Sequence, residues 1–146
     1  MRILIHGLQG SGATFFAYFL SQETNVLGVL DYWGHLSSRC PVKKPLPYIP
    51  DEDGLDIVAK VVVSTNFPFK AHKDSFKPDI TILFRRDANL NYQKLNEKWY
   101  KNEGGTIDEK FKLVQTFKDS DYDIAVNFEE FLSDPNTTLK KLGVLS

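Results

Sequence analysis

The amino-terminal run Met1-Arg2-Ile3-Leu4-Ile5-His6-Gly7-Leu8-Gln9-Gly10-Ser11-Gly12-Ala13-Thr14 decides the fold. It is a short apolar strand that feeds directly into a glycine-rich turn, and Phe15 to Ser21 follow in helical spacing. A phosphate-binding loop is built in this order. Glycines let the backbone turn tightly enough for successive N–H groups to face one concavity, and the following helix adds the partial positive charge of its amino terminus. Gly7, four residues, then Gly12, Ala13 and Thr14 follow the Walker A spacing, except that alanine stands where a lysine would reach the outer phosphates. Without that lysine the charge that stabilises a transferring phosphoryl group is missing, which disfavours ATPase and kinase chemistry. The loop is therefore read as an anion site, against the alternative that its glycines serve packing alone.

Composition bounds the rest. The 146 residues, 42% hydrophobic and 25% charged, suit one domain spanning 1–146 that buries about two thirds of its unfolded surface. A formal net charge of −1 gives no general attraction to nucleic acid or to an anionic membrane, so any anion site is local. Cys40 is the only cysteine, which rules out an internal disulfide and a multi-cysteine zinc site and suits a reducing compartment. No signal-peptide pattern and no membrane-spanning stretch is present, and a cytoplasmic location is expected. Asn136-Thr137-Thr138 matches a glycosylation acceptor but is expected to start a helix.

Further along, Val26 to Leu30 reads as a second strand. Residues 31–53 form a long irregular loop with four prolines (Pro41, Pro45, Pro47, Pro50) and with Tyr32, Trp33, His35, Arg39, Lys43 and Lys44, which either closes over a ligand or is a surface excursion. Ala59 to Ser64 and Ile80 to Phe84 are β-branched runs of the kind that fill buried parallel strands. A helix is predicted over Asp87 to Lys101, closed by Gly104-Gly105. Thr106 and Glu109 form a capping box that opens a second helix over Ile107 to Lys118, packed as a hairpin with the first. Tyr122 to Phe128 is a last strand, and Asp134-Pro135 starts a short helix that Gly143 ends. Alternating strands and helices imply a parallel α/β sheet whose ligand sits at the carboxyl ends of the strands. Phe15, Phe16, Tyr18 and Phe19 exceed what one helix face buries, and central burial is expected over a shared interface, leaving monomer or homodimer open.

Four segments together resemble the sulfotransferases that use 3′-phosphoadenosine 5′-phosphosulfate (PAPS). Gly7 to Phe16 is similar to that family's 5′-phosphosulfate loop, and Ser64-Thr65-Asn66-Phe67-Pro68-Phe69 to its K-T-H-L-P-F segment. Lys77 to Ala88 resembles the strand ending in R-D-P, whose arginine binds the 3′-phosphate. Val126 to Leu139 resembles the Y-E-D-L-x-x-D-P-x-x-T-L segment that enters a late helix, with Leu142-Gly143-Val144 as its ending. The resemblance covers most of the chain. It implies a three-layer P-loop NTPase-like fold, PAPS as co-substrate held by Gln9, Gly10, Ser11, Gly12, Ala13, Thr14, Arg85 and Arg86, and no metal. Transfer would be of a sulfuryl group to a hydroxyl or amine on a small molecule or glycan.

The departures bear on catalysis. Gly10 replaces the loop's lysine or arginine, and Ser64 and Asn66 replace the lysine and base histidine of K-T-H. Sulfuryl transfer needs a base for the acceptor's proton and cations for the leaving phosphate. The serine after R-D-P and the R-K-G-x-x-G segment are also absent. Asn66, His35 and His72 are the remaining catalytic candidates, with Lys70 as a further cation. Of Arg85 and Arg86, one is expected to face the site; the alternative is a solvated strand end paired with Asp87. His6 is read as a structural histidine beside the loop, and Glu129 and Glu130 as capping and surface charge. Two other readings stand beside an active sulfotransferase. One is a nucleotide- or anion-binding module that has lost catalysis and acts through a partner. The other is a degenerate nucleotide kinase.

Overall fold

A computed structural model of the chain describes residues 2–24, 27–29, 57–65 and 68–143. Five strands form one sheet: β1 (Arg2–Gly7), β2 (Leu27–Val29), β3 (Ile57–Val62), β4 (Ile80–Arg85) and β5 (Ile124–Asn127). All pair in parallel in the order β2-β3-β1-β4-β5. Parallel strands need crossovers, and among the described residues helices supply those from β1 to β2, β3 to β4 and β4 to β5. The described helices are α1 (Ala13–Thr24), α2 (Phe69–Phe76), α3 (Ala88–Asn96), α4 (Ile107–Gln115), α5 (Phe128–Ser133) and α6 (Pro135–Lys141).

Helices cover both faces of the sheet, so the central strands are apolar throughout rather than alternating. On one face Phe16, Ala17 and Leu20 of α1, Phe131 of α5, and Leu139 with Leu142 at α6 close over Ile3, Ile5, Val58, Ile82 and Phe84. Phe16 stacks on Phe84 and meets Phe131 edge-on. On the other face Leu95 and Ile107 of α3 and α4 pack with Leu8 and Val63, while Phe76 of α2 lies under the Arg2 guanidinium.

Element ends depart from the sequence reading for local reasons. The third helix stops at Asn96, where residues 97–103 pass into successive short turns. Lys110, fully buried, donates its ammonium to the carbonyls of Lys101 and Glu103, both at 2.8 Å, and ties the last of these turns to α4. Helix α4 ends at Gln115 rather than Lys118, since the Thr116 hydroxyl bonds the Leu113 carbonyl at 2.6 Å and competes with the backbone. Phe128 opens α5 instead of ending β5, because Asn127 caps that helix by accepting from the N–H groups of Glu129 and Glu130. Helix α2 is unforeseen, although Pro68 followed by Phe69, His72 and Phe76 is an amphipathic start signal. The aromatics of α1 divide: Phe16 is buried, whereas Phe15 and Tyr18 are 55% and 51% exposed, correcting the expectation that all are central. One helix face points at the sheet, and these two lie outside its arc. The long loop over 31–53 lies outside the described residues.

Candidate functional site

Strand β1 is central, and the chain winds outward from it in both directions, through α1 towards β2 and later through β4 to β5. In such sheets ligands bind beyond the carboxyl ends of the strands where the winding reverses. The loop 7–14 sits there. Gly7 pairs with Val62 on one side and Phe84 on the other. A Cβ on Gly7 would lie 2.8 Å from the Ala13 Cβ, so the loop folds back onto the end of its own strand only because Gly7 has no side chain. Gly10 and Gly12 take positive φ of 77° and 89°, conformations that L side chains rarely adopt.

Almost every loop carbonyl is tied down. Those of Gly7, Leu8, Gln9, Gly10 and Gly12 accept from the Val63 N–H (3.0 Å), the Ser11 N–H (3.1 Å), Asn91 Nδ2 (2.7 Å), Arg86 Nη1 (3.2 Å) and the Phe16 N–H (3.0 Å). In a trans peptide the next N–H points opposite to the carbonyl, so fixing the carbonyls against the protein turns amides such as those of Gly10 and Ala13 the other way. The first-turn N–H groups of α1 have no intrahelical acceptor and add the helix's partial positive charge.

The amides face a cleft of about 140 Å³ lined by Leu8, Gly10, Gly12, Ala13 and Thr14, with Lys60 of β3 and Lys98 and Tyr100 from the turns after α3. A whole small-molecule ligand occupies roughly 300–1,000 Å³, so this volume holds one anionic group rather than a complete nucleotide. Larger hollows lie elsewhere, one along α2 and Tyr122 and one between α3 and α4, and neither includes a loop residue. The loop cleft is the better candidate because the glycine loop, the start of α1 and two lysines, Lys60 and Lys98, line it together. Buried polar atoms gather beside it: Ser11 Oγ, Gln9 Oε1 and Arg86 Nε have no hydrogen-bond partner among the described residues.

The structure separates the two arginines. Arg86 lies over the Phe128 ring, 4.7 Å from its centre, and bonds the loop at Gly10. Phe128 in turn fills the space where a Gly12 side chain would be, with Cε2 2.5 Å from an ideal Cβ. Arg86, Phe128 and Gly12 thus form one stack that fixes the loop. Arg85 turns away, to Asp119 Oδ1 at 2.5 Å and the Phe117 carbonyl at 2.9 Å; its partner is Asp119, not Asp87. Of the other residues expected to hold a cofactor, Gly10, Gly12, Ala13 and Thr14 line the cleft, while Gln9 and Ser11 are buried in the loop.

His6 and His72 form no part of the cleft lining. His6 is buried, stacks on Phe69 with centroids 4.2 Å apart, and places Nδ1 2.7 Å from the Tyr122 hydroxyl. Burial, with a smaller contribution from nearby His72, lowers its pKa to about 3. His72 is likewise buried in α2, and desolvation lowers its pKa to about 4, so both rings are neutral near pH 7. Burial raises the Tyr122 pKa well above that of an ordinary phenol. Asn66 and His35 lie outside the described residues. Ser64 and Thr65 lie against the α3–α4 turn, where the Thr65 N–H and hydroxyl both bond the Gly104 carbonyl.

Lys60 is the site residue that the sequence reading missed. Its only sequence signal is one charge inside the run Ile57-Val58-Ala59-Lys60-Val61-Val62-Val63. Compared with known proteins, the chain matches no family model and no curated relative. Among the described residues, no helix is long and apolar enough to cross a membrane.

Proposed function

We propose that the chain binds a phosphate or sulfate ester at the loop 7–14, as a sulfotransferase-like P-loop protein whose ligand is PAPS or its desulfonated product. The observation that carries this reading is the convergence of outward-turned amides, the start of α1, Lys60 and Lys98 on one cleft sized for a single anionic group. Buried donors at Ser11 Oγ and Arg86 Nε fit an anion, and an acceptor at Gln9 Oε1 fits a ligand hydroxyl or amine. In this reading Gly10 to Thr14 hold the 5′-phosphosulfate and Arg86 holds the 3′-phosphate; the sulfuryl group for transfer is supplied by the bound PAPS. Sheet order and the position of the loop at the winding reversal support the fold kinship.

Binding is better supported than turnover. A base must lie within hydrogen-bond reach of the acceptor's proton, and the described cleft contains no histidine or carboxylate. A binding module that has lost catalysis is therefore the second reading, and it is favoured by His72, which lies outside the cleft lining and whose pKa, lowered to about 4 by burial, makes it a weak base. Calorimetric titration with adenosine 3′,5′-bisphosphate and with ATP plus magnesium, on the wild type and on Arg86→Ala, tests the proposal. The bisphosphate is expected to bind preferentially and Arg86→Ala to weaken it about tenfold or more, the worth of a charge-assisted hydrogen bond. Preference for magnesium-ATP sinks the sulfotransferase-like reading in favour of a kinase-like one.

A further inference from the structure

Lysine is out of place in a central parallel strand. β3 has neighbours on both sides and helices over both faces, and its other residues from 57 to 63 are valine, isoleucine and alanine. Lys60 pairs with Ile5 of β1 and is only 5% exposed. Lysine is almost never fully buried without partners that justify it. Here Nζ donates to Thr14 Oγ1 at 2.7 Å, on the first turn of α1, and the side chain lines the loop cleft. Ala13, where the Walker pattern has its lysine, instead belongs to the apolar core and packs against Gly7. The loop has lost a cation from its own chain position and has one brought to it from the adjacent strand.

The hydroxyl that receives this ammonium is the one that ligates Mg²⁺ in a Walker A loop. A cation held at that oxygen repels a second cation there. Building on the reading of the loop as an anion site, we propose that Lys60 supplies from β3 the ammonium missing at position 13 and, by occupying Thr14 Oγ1, makes binding of the phosphate or sulfate ester independent of a divalent metal. The exposed Lys98 adds a second ammonium at the same cleft.

The test uses the full chain and adenosine 3′,5′-bisphosphate as probe, titrated in EDTA and in excess Mg²⁺, on the wild type, Lys60→Met, Lys60→Arg and Lys60→Gln. The wild type is expected to bind equally well with and without metal. Lys60→Met should lose about tenfold or more of that affinity, with Lys60→Arg recovering part of it. Methionine keeps the length of the side chain, and thermal unfolding without ligand checks that the variant folds. Should it not fold, Lys60→Gln, which keeps a donor for Thr14 without the charge, decides: it is expected to lose affinity to a similar extent. A Mg²⁺ requirement in the wild type, or full affinity in folded Lys60→Met or Lys60→Gln, overturns the inference while leaving an anion site in place. A wild type that does not bind the probe under either condition overturns both the inference and the reading of the loop.

Discussion

At the scale of single residues, what each site position does depends on neighbours that are distant in sequence. Gly12 is required twice over, by its φ of 89° and by the Phe128 ring that a Cβ would strike. Gly12→Ala is expected to destabilise the fold by about 1–3 kcal/mol, from strain at positive φ and displacement of the ring. Urea unfolding measures this, and a stability equal to wild type would mean that the stack of Arg86, Phe128 and Gly12 is loose. Arg85 and Arg86 show how far sequence reaches. Adjacent residues at a strand end point to opposite sides, so one of the two had to be near the loop. Which one was decided by the register of β4 against β1 and by Asp119, which takes Arg85. Lys60 was illegible for a similar reason: strand membership is visible in a β-branched run, but the helix residue facing position 60 is not.

Among the elements, the capped starts of α3, α4 and α6 were legible, whereas α2 and α5 were not foreseen and the ends of α3 and α4 fell short of their expected positions. The capping box at α4 is present as read, with the Thr106 hydroxyl accepting from the Glu109 N–H at 3.2 Å and Glu109 Oε1 reaching back to Thr106. Thr106→Ala should cost about 1 kcal/mol, measurable by urea or thermal unfolding. Start signals are local pairs of side chain and backbone, which a sequence carries whole. Ends are set by competition. The turns after Asn96 are tied to α4 by Lys110, nine residues beyond Lys101, which donates to the carbonyls of Lys101 and Glu103. Lys110→Met removes both bonds, leaving the Glu103 carbonyl only a long bond from Gln9 Nε2, at a cost of about 1–3 kcal/mol. Amides of 97–104 should then exchange faster with solvent while those of β1 do not change, and uniform protection in that segment would refute the role of Lys110.

For the whole molecule, the face of the sheet opposite α1 carries a pH dependence. His6 and His72 have folded-state pKa values near 3 and 4, below the ordinary 6.5 of an unfolded chain. Between those values the unfolded chain binds more protons than the folded one, so stability increases with pH across this window. The stabilisation is complete above about pH 6.5 and is lost as pH falls below it, by up to about 1.4 kcal/mol per pH unit for each histidine. Denaturant midpoints at pH 7.5 and pH 5 measure the loss, and His72→Gln should flatten it. A midpoint that does not change between the two would mean that the rings are protonated in place.

The sequence by itself determined the five strands along the chain, the loop 7–14 and the start of α4, because strand runs, glycine turns and caps are encoded within a few neighbouring residues. Only the tertiary structure decided the strand order, the choice of Arg86 over Arg85 at the loop and the arrival of Lys60 at Thr14. These depend on parallel register between strands that lie far apart in the chain. Period-two alternation then turns that register into one side chain at the site and its neighbour away from it.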